Sequence, residues 1–177
     1  MTSVVAPLPD RPLPDRLGGA PDGKRSLRLW LRLLTCTTSI EQRVSQRLRN
    51  EFDTTLPRFD MLSALHRAGD TGLTMGETAG MLMVSNGNVT GLATRLKAGG
   101  LVEAVAGADR RIQRLRLTPA GQTRFATMAR AHERWIEALF ADLTTPEADE
   151  LTRLLERTKR SLHATTPEEL GQEELNR

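Results

Sequence analysis

Residues 73–105, LTMGETAGMLMVSNGNVTGLATRLKAGGLVEAV, narrow the folds open to this chain more than any other stretch. The pattern predicts a short helix over about residues 75–83. After a tight break, Ser85 or Asn86 caps a second helix, and Gly99-Gly100 stops it. Leu82, Val84, Val89, Leu92 and Leu96 are spaced to lock the two helices together. That spacing leaves Ser85, Asn86, Asn88, Thr90, Thr94 and Arg95 on the outer face. Two short helices joined by a few residues, the second polar on its outside, make a helix-turn-helix.

Two strand-like runs follow at once, LVEAV and IQRLRL, separated by AGADRR. Leu101, Val105, Ile112, Leu115 and Leu117 are expected on the buried side, with Gln113, Arg114 and Arg116 on the wet side. A hairpin directly after a helix-turn-helix is a wing. Its turn holds Asp109, Arg110 and Arg111, for which two readings stand. One is an ordinary solvated turn. The other is a tip whose arginines enter a narrow minor groove, with Asp109 orienting them by a charge-assisted hydrogen bond.

Helices are expected on both sides of this unit. Ser26 is the expected cap of a long first helix carrying Leu27, Leu31, Leu34, Val44 and Leu48 on one face. Pro57 suits the first turn of the next, whose stripe is Phe59, Leu62 and Leu65. Thr118-Pro119 starts a long helix with Phe125, Met128, Trp135, Leu139 and Phe140. Thr144 and Glu147 form a capping box for a last helix bearing Leu151, Leu154, Leu155 and Leu162. The fold class is therefore mainly α with a small β wing. Residues 1–24, rich in proline, read as a disordered arm, and residues 164–177 as an acidic tail. Between them lies one domain, 25–163, with the winged unit at about 55–118 and flanking helices at about 26–50 and 118–163.

Composition bears on what this domain touches. With four Phe, two Trp and no Tyr in 177 residues, the core is built mostly from Leu, Val, Met and Ala. Burying enough of it calls for a partner subunit. A net charge of +3 and a pI near 9.7 favour an anionic partner. One cysteine excludes an intrachain disulfide framework and fits a reducing compartment. Prolines and aspartates stand where a secretory signal needs apolar residues, so the expectation is a cytoplasmic protein with no membrane partner. His66, His132 and His163 have no carboxylate or cysteine at ligand spacing, so no metal or cofactor is expected. No Ser-His-Asp order, HExxH or phosphate loop is present, so no catalytic residues and no enzyme are expected.

The segments VSNGNVTGLATRLKAGGLV and ADRRIQRLRLTPAG together resemble the MarR family of winged-helix transcription regulators. The matching positions are Ser85, Thr90, Arg95, Gly100-Leu101-Val102, Asp109-Arg110-Arg111 and the run from Leu117 through Thr118, Pro119 and Ala120 to Gly121. The resemblance implies a homodimer with interlocked N- and C-terminal helices that represses transcription from double-stranded operator DNA. It also implies release by a small apolar effector. The DNA-binding residues would be Ser85, Asn86, Asn88, Thr90, Arg95, Asp109, Arg110 and Arg111. Trp30 and Arg32 are candidates for the ligand, and the phrasing around residues 55–92 is similar to a branch tied to aromatic-acid and hydroxycinnamoyl-CoA catabolism. The chain departs from the family pattern at Met83, a turn position often held by Gly, and at Gly91, where a larger basic residue is frequent. Two other readings remain: a winged-helix protein-interaction module, and a thiol sensor at Cys36. The peroxide-sensing relatives use tyrosines that this chain lacks.

Overall fold

In the computed structural model, residues 24–82, 85–106 and 113–164 are described. Six α-helices and a two-stranded sheet make up these residues: α1 Arg25–Phe52, α2 Leu56–Ala68, α3 Met75–Leu82, α4 Asn86–Ala98, β1 Val102–Ala106, β2 Gln113–Leu117, α5 Pro119–Leu139 and α6 Thr145–Ala164. A single 3-10 turn, Gly69–Thr71, follows α2. The chain divides into two units, Met1–Arg43 and Val44–Arg177. In the first, the described residues are the opening turns of α1, where Leu27, Leu29, Trp30, Leu31 and Leu34 are exposed. The first bond of α1 runs from the Arg28 N–H to the Lys24 carbonyl at 2.9 Å. Ser26 therefore lies inside the helix and does not cap it, because the helix starts before it.

The second unit is organised around α2, which packs against α3, α4, α5 and β2. Pro57 sits in its first turn, where the missing N–H costs nothing. Met61, Leu62, Ala64 and Leu65 are wholly buried, as a helix covered on several sides requires. Val44 and Leu48 from the end of α1, and Phe125, Met128, Ala131 and Trp135 from α5, complete that part of the core. Each buried Val, Leu, Met or Phe side chain among them stabilises the fold by about 1.5–3 kcal/mol. Arg124 closes the C-terminal end of α1: its Nη2 donates to the Phe52 carbonyl at 2.6 Å, and its guanidinium lies 5.3 Å from the Phe52 ring centre. His132 stacks on Phe59 with centroids 4.9 Å apart, and burial holds its imidazole pKa below the ordinary value.

The sheet is a single antiparallel hairpin, with Val102 opposite Leu117 and Ala104 opposite Leu115. Its buried side chains are Val102, Leu115 and Leu117. Val102 takes the inward place expected for Val105, which is only half-buried. The register sets Val102 opposite buried Leu117, so the inward alternation falls on the parity of Val102 and not on that of Leu101 and Val105. Leu73 adds an isolated antiparallel bridge on the other edge of β2, exchanging backbone hydrogen bonds with Leu115 at 2.9 and 2.7 Å.

Thr118 welds the hairpin to α5. Its hydroxyl accepts from the Gly121 N–H at 3.0 Å and donates to the Gly100 carbonyl at 2.7 Å, while its own N–H reaches the Leu101 carbonyl at 3.1 Å. Gly121 lies so close to this turn that a Cβ there would stand 2.0 Å from the Leu101 oxygen. Gly121→Ala is therefore expected to destabilise the protein by about 1–3 kcal/mol, since backbone and not a pliable side chain must give way. Urea unfolding of the two proteins checks this, and an unchanged midpoint would refute the close approach.

Candidate nucleic-acid interface

The helix-turn-helix is built from local capping rules. Thr74 and Glu77 form a capping box at the start of α3: the Thr74 N–H donates to Glu77 Oε2 at 2.7 Å, and the Glu77 N–H donates to Thr74 Oγ1 at 3.1 Å. The hydrogen bond from the Thr74 backbone, aided by the Thr74 side chain and the nearby Arg114 guanidinium, holds the Glu77 carboxyl below the usual carboxylate range. Thr78, the buried polar residue beneath, donates to the Thr74 carbonyl at 2.8 Å. Ser85 caps α4, its Oγ accepting from the Asn88 N–H at 3.4 Å.

Helix α4 ends in a Schellman motif. The Gly100 N–H donates to the Lys97 carbonyl at 2.9 Å and the Leu101 N–H to the Leu96 carbonyl at 3.0 Å. Gly100 has φ 68°, the left-handed conformation this closure needs. The inner face of α4 is Val89, Ala93 and Leu96, all buried, with Leu92 half-buried beside them. Ala93 was not singled out by the sequence pattern, and Val84 lies outside the described residues, as does Met83.

The outer face carries the residues that the sequence assigns to DNA. Ser85, Asn88, Thr90, Thr94 and Arg95 are all exposed, and Arg95 is joined by exposed Lys97 in the last turn. Asn86 opens the helix, and its side chain lies outside the described residues. No acidic residue occurs anywhere in α4. The helix thus presents hydroxyls and the Asn88 amide near its electropositive N-terminus and two cations near its end. Asp109, Arg110 and Arg111, with Ile112, lie outside the described residues.

The other arginines of the hairpin have internal partners. Arg114 is half-buried: its Nε donates to the Thr71 carbonyl at 2.9 Å, and its Nη2 donates to the Gly72 carbonyl at 3.0 Å and to Glu77 Oε2 at 2.9 Å. Arg116 Nε pairs with Glu103 Oε1 across the strands at 2.7 Å. The cluster read in sequence as a wet, basic face is therefore partly an internal brace. Sequence reasoning missed Glu77 and Glu103 altogether, although Thr74 followed three residues later by Glu77 is itself a capping-box signal.

Trp30 and Arg32 are exposed on α1, and Cys36 is exposed on the same helix. Among the described residues no group of His, Cys, Asp and Glu gathers as a metal site. No described helix is long and apolar enough to cross a membrane.

A capped helix pair with a polar outer face, followed by an antiparallel hairpin braced against it, defines a winged helix-turn-helix protein. The chain belongs to the MarR family of transcriptional regulators. It shares 30% identity with the crystal structure of a MarR family transcriptional regulator from Silicibacter pomeroyi, at a TM-score of 0.68, over 81% of this chain and 99% of that one. The MarR family sequence model matches residues 52–112. An HTH-type transcriptional regulator of Bacillus subtilis (strain 168), YsmB, is 28% identical over 110 residues, 62% of this chain and 74% of its own length. The S. aureus MepR–DNA complex has the same fold, at 20% identity and a TM-score of 0.65, over 79% of this chain and 99% of that one.

Proposed function

We propose that the protein is a homodimeric repressor that places α4 in the major groove of a near-palindromic operator and the turn between β1 and β2 in the flanking minor groove. The observation that carries this reading is the outer face of α4: capped, free of acidic residues and lined by exposed Ser85, Asn88, Thr90 and Arg95. Amides and hydroxyls there reach base edges, and Asn86 or Asn88 offers the donor–acceptor pair that matches adenine. Ser85 and Arg95 meet phosphates, while Arg110 and Arg111, oriented by Asp109, enter the minor groove. The MepR–DNA complex, whose protein shares the fold, supports a duplex as partner.

Dimer symmetry sets the half-sites about 34–36 Å apart. A small effector, an aromatic acid or acyl-CoA, releases the DNA, and Trp30 and Arg32 are its candidate contacts. Exposed apolar side chains on the first turns of α1 and along α6 support a partner copy.

Fluorescence anisotropy on the DNA flanking the protein's own gene tests the reading. Binding is expected to be sequence-selective and to weaken steeply with salt. Arg111→Ala is expected to cost ~1–3 kcal/mol of operator binding. Equal weak binding to every duplex would leave a protein-interaction module in its place, and unchanged affinity in Arg111→Ala would remove the arginine from the groove.

A further inference from the structure

We propose that Arg114 is a positioning residue for DNA recognition, locking the hairpin to the start of α3 so that wing and α4 meet the duplex as one body. The proposal rests on the DNA-binding reading above and adds what makes its two contacts act together.

The geometry is that of a fork spanning two structural elements. Arg114 lies on β2 opposite Val105, and its side chain is 24% exposed. Its Nε and Nη2 hold two consecutive backbone carbonyls, those of Thr71 and Gly72, at 2.9 and 3.0 Å. Nη2 also reaches Glu77 Oε2 at 2.9 Å. That oxygen is the one that accepts the Thr74 N–H and so caps α3. A single carboxylate oxygen therefore joins the first turn of the helix-turn-helix to the strand that leads out of the wing's turn. The backbone rung between Leu73 and Leu115 lies beside this junction and fixes its register.

Arg116, two residues along the strand, makes the contrast plain. Its partner Glu103 is on the neighbouring strand, so that pair stiffens the hairpin alone. The Arg114 contacts leave the hairpin and grip the helices. An ion pair this exposed contributes little to stability by itself, so what it contributes is geometry. The planar guanidinium can hold adjacent carbonyls and a carboxylate at fixed angles; a lysine ammonium is a point charge on a flexible stem and cannot.

Arg114→Lys, Arg114→Gln, Glu77→Gln and the double variant Glu77→Gln/Arg114→Gln test the proposal in the full-length protein. Anisotropy is read on the operator duplex and a scrambled duplex, with thermal melts of the free proteins alongside. Each single variant is expected to bind the operator about tenfold more weakly, the scale of one lost base contact. Binding to the scrambled duplex is expected to stay as it is, and the double variant to be no weaker than either single one. Glu77→Gln keeps an acceptor for the Thr74 N–H and removes the negative charge that holds the guanidinium, so it separates the ion pair from the helix cap.

Wild-type affinity in Arg114→Lys would make Arg114 a mere charge and overturn the proposal. Tighter operator binding by Glu77→Gln would do the same, since losing a carboxylate that only repels phosphate strengthens binding. Wild-type protein that does not distinguish the operator from the scrambled duplex overturns the DNA-binding reading and this proposal with it. Selective wild-type binding with unchanged variants overturns the lock alone.

Discussion

Leu154→Glu combined with Leu155→Glu is expected to turn the protein into a monomer and to lower operator affinity by about a hundredfold or more. Helix α6 buries none of its side chains. Leu151, Leu154, Leu155 and Leu162 stand 39%, 43%, 43% and 71% exposed, at the i, i+3, i+4 spacing of one helical face. Elsewhere the helix is strongly charged, with Arg153 gripping Glu150 through two hydrogen bonds at 2.7 and 2.5 Å. A helix that keeps its charge on one side and bares a leucine stripe on the other is built to be covered. Because Leu154 and Leu155 are exposed and lie outside the buried core of the described residues, two glutamates there leave that core intact. The cost falls on association. Linking two half-site contacts through one dimer multiplies their affinities by an effective-concentration factor, and a monomer forfeits it. Analytical ultracentrifugation and anisotropy on the same preparations check both halves. A dimer that survives both glutamates would place the interface away from α6.

The sequence made the local punctuation readable and left the long-range pairings hidden. Ser85, Gly99-Gly100, Thr118-Pro119 and Thr144 with Glu147 are each readable because a cap or stop is settled within one helical turn. Thr144, for example, donates its N–H and its hydroxyl to Glu147 at 2.8 and 2.6 Å, and its neighbour opens α6. Ser26 misled for the same reason: a good capping residue was present, but the helix had started before it.

The hairpin was harder, since a shift of one residue exchanges its faces and LVEAV has apolar residues on both parities. Val102 rather than Val105 points inward because Val102 pairs with buried Leu117, a fact of register. Arg114 and Arg116 were the least readable. Arg114 meets its partners 37 to 43 residues back along the chain, and no spacing rule connects them. What looks like one basic cluster in sequence thus separates in space. Arg114 ties the wing to the helices and Arg116 braces the hairpin, while Arg110 and Arg111 lie outside the described residues.

Replacing Gly87 and Gly91 together by leucine is expected to leave the free protein at least as stable, yet to reduce operator binding to the nonspecific level, about a thousandfold or more weaker. Both residues lie in α4, and a Cβ built at either meets nothing within 4 Å. Neither needs a left-handed backbone. Glycine inside a helix costs about 0.5–1 kcal/mol relative to alanine, so Gly91 weakens the fold with no internal return. Gly121 is the opposite case, since its missing Cβ makes room for the Leu101 carbonyl. The open glycines of α4 share the face that exposes Asn88, Thr90 and Arg95. In the proposed docking their use is outward: they would let the helix backbone approach the groove. Alanine at Gly91 is expected to raise the melting temperature while weakening operator binding. Opposite signs from one substitution cannot come from a general loss of fold. If the double leucine variant binds the operator as tightly as the wild type, α4 does not face the groove on this side, and the reading of its outer surface falls with it.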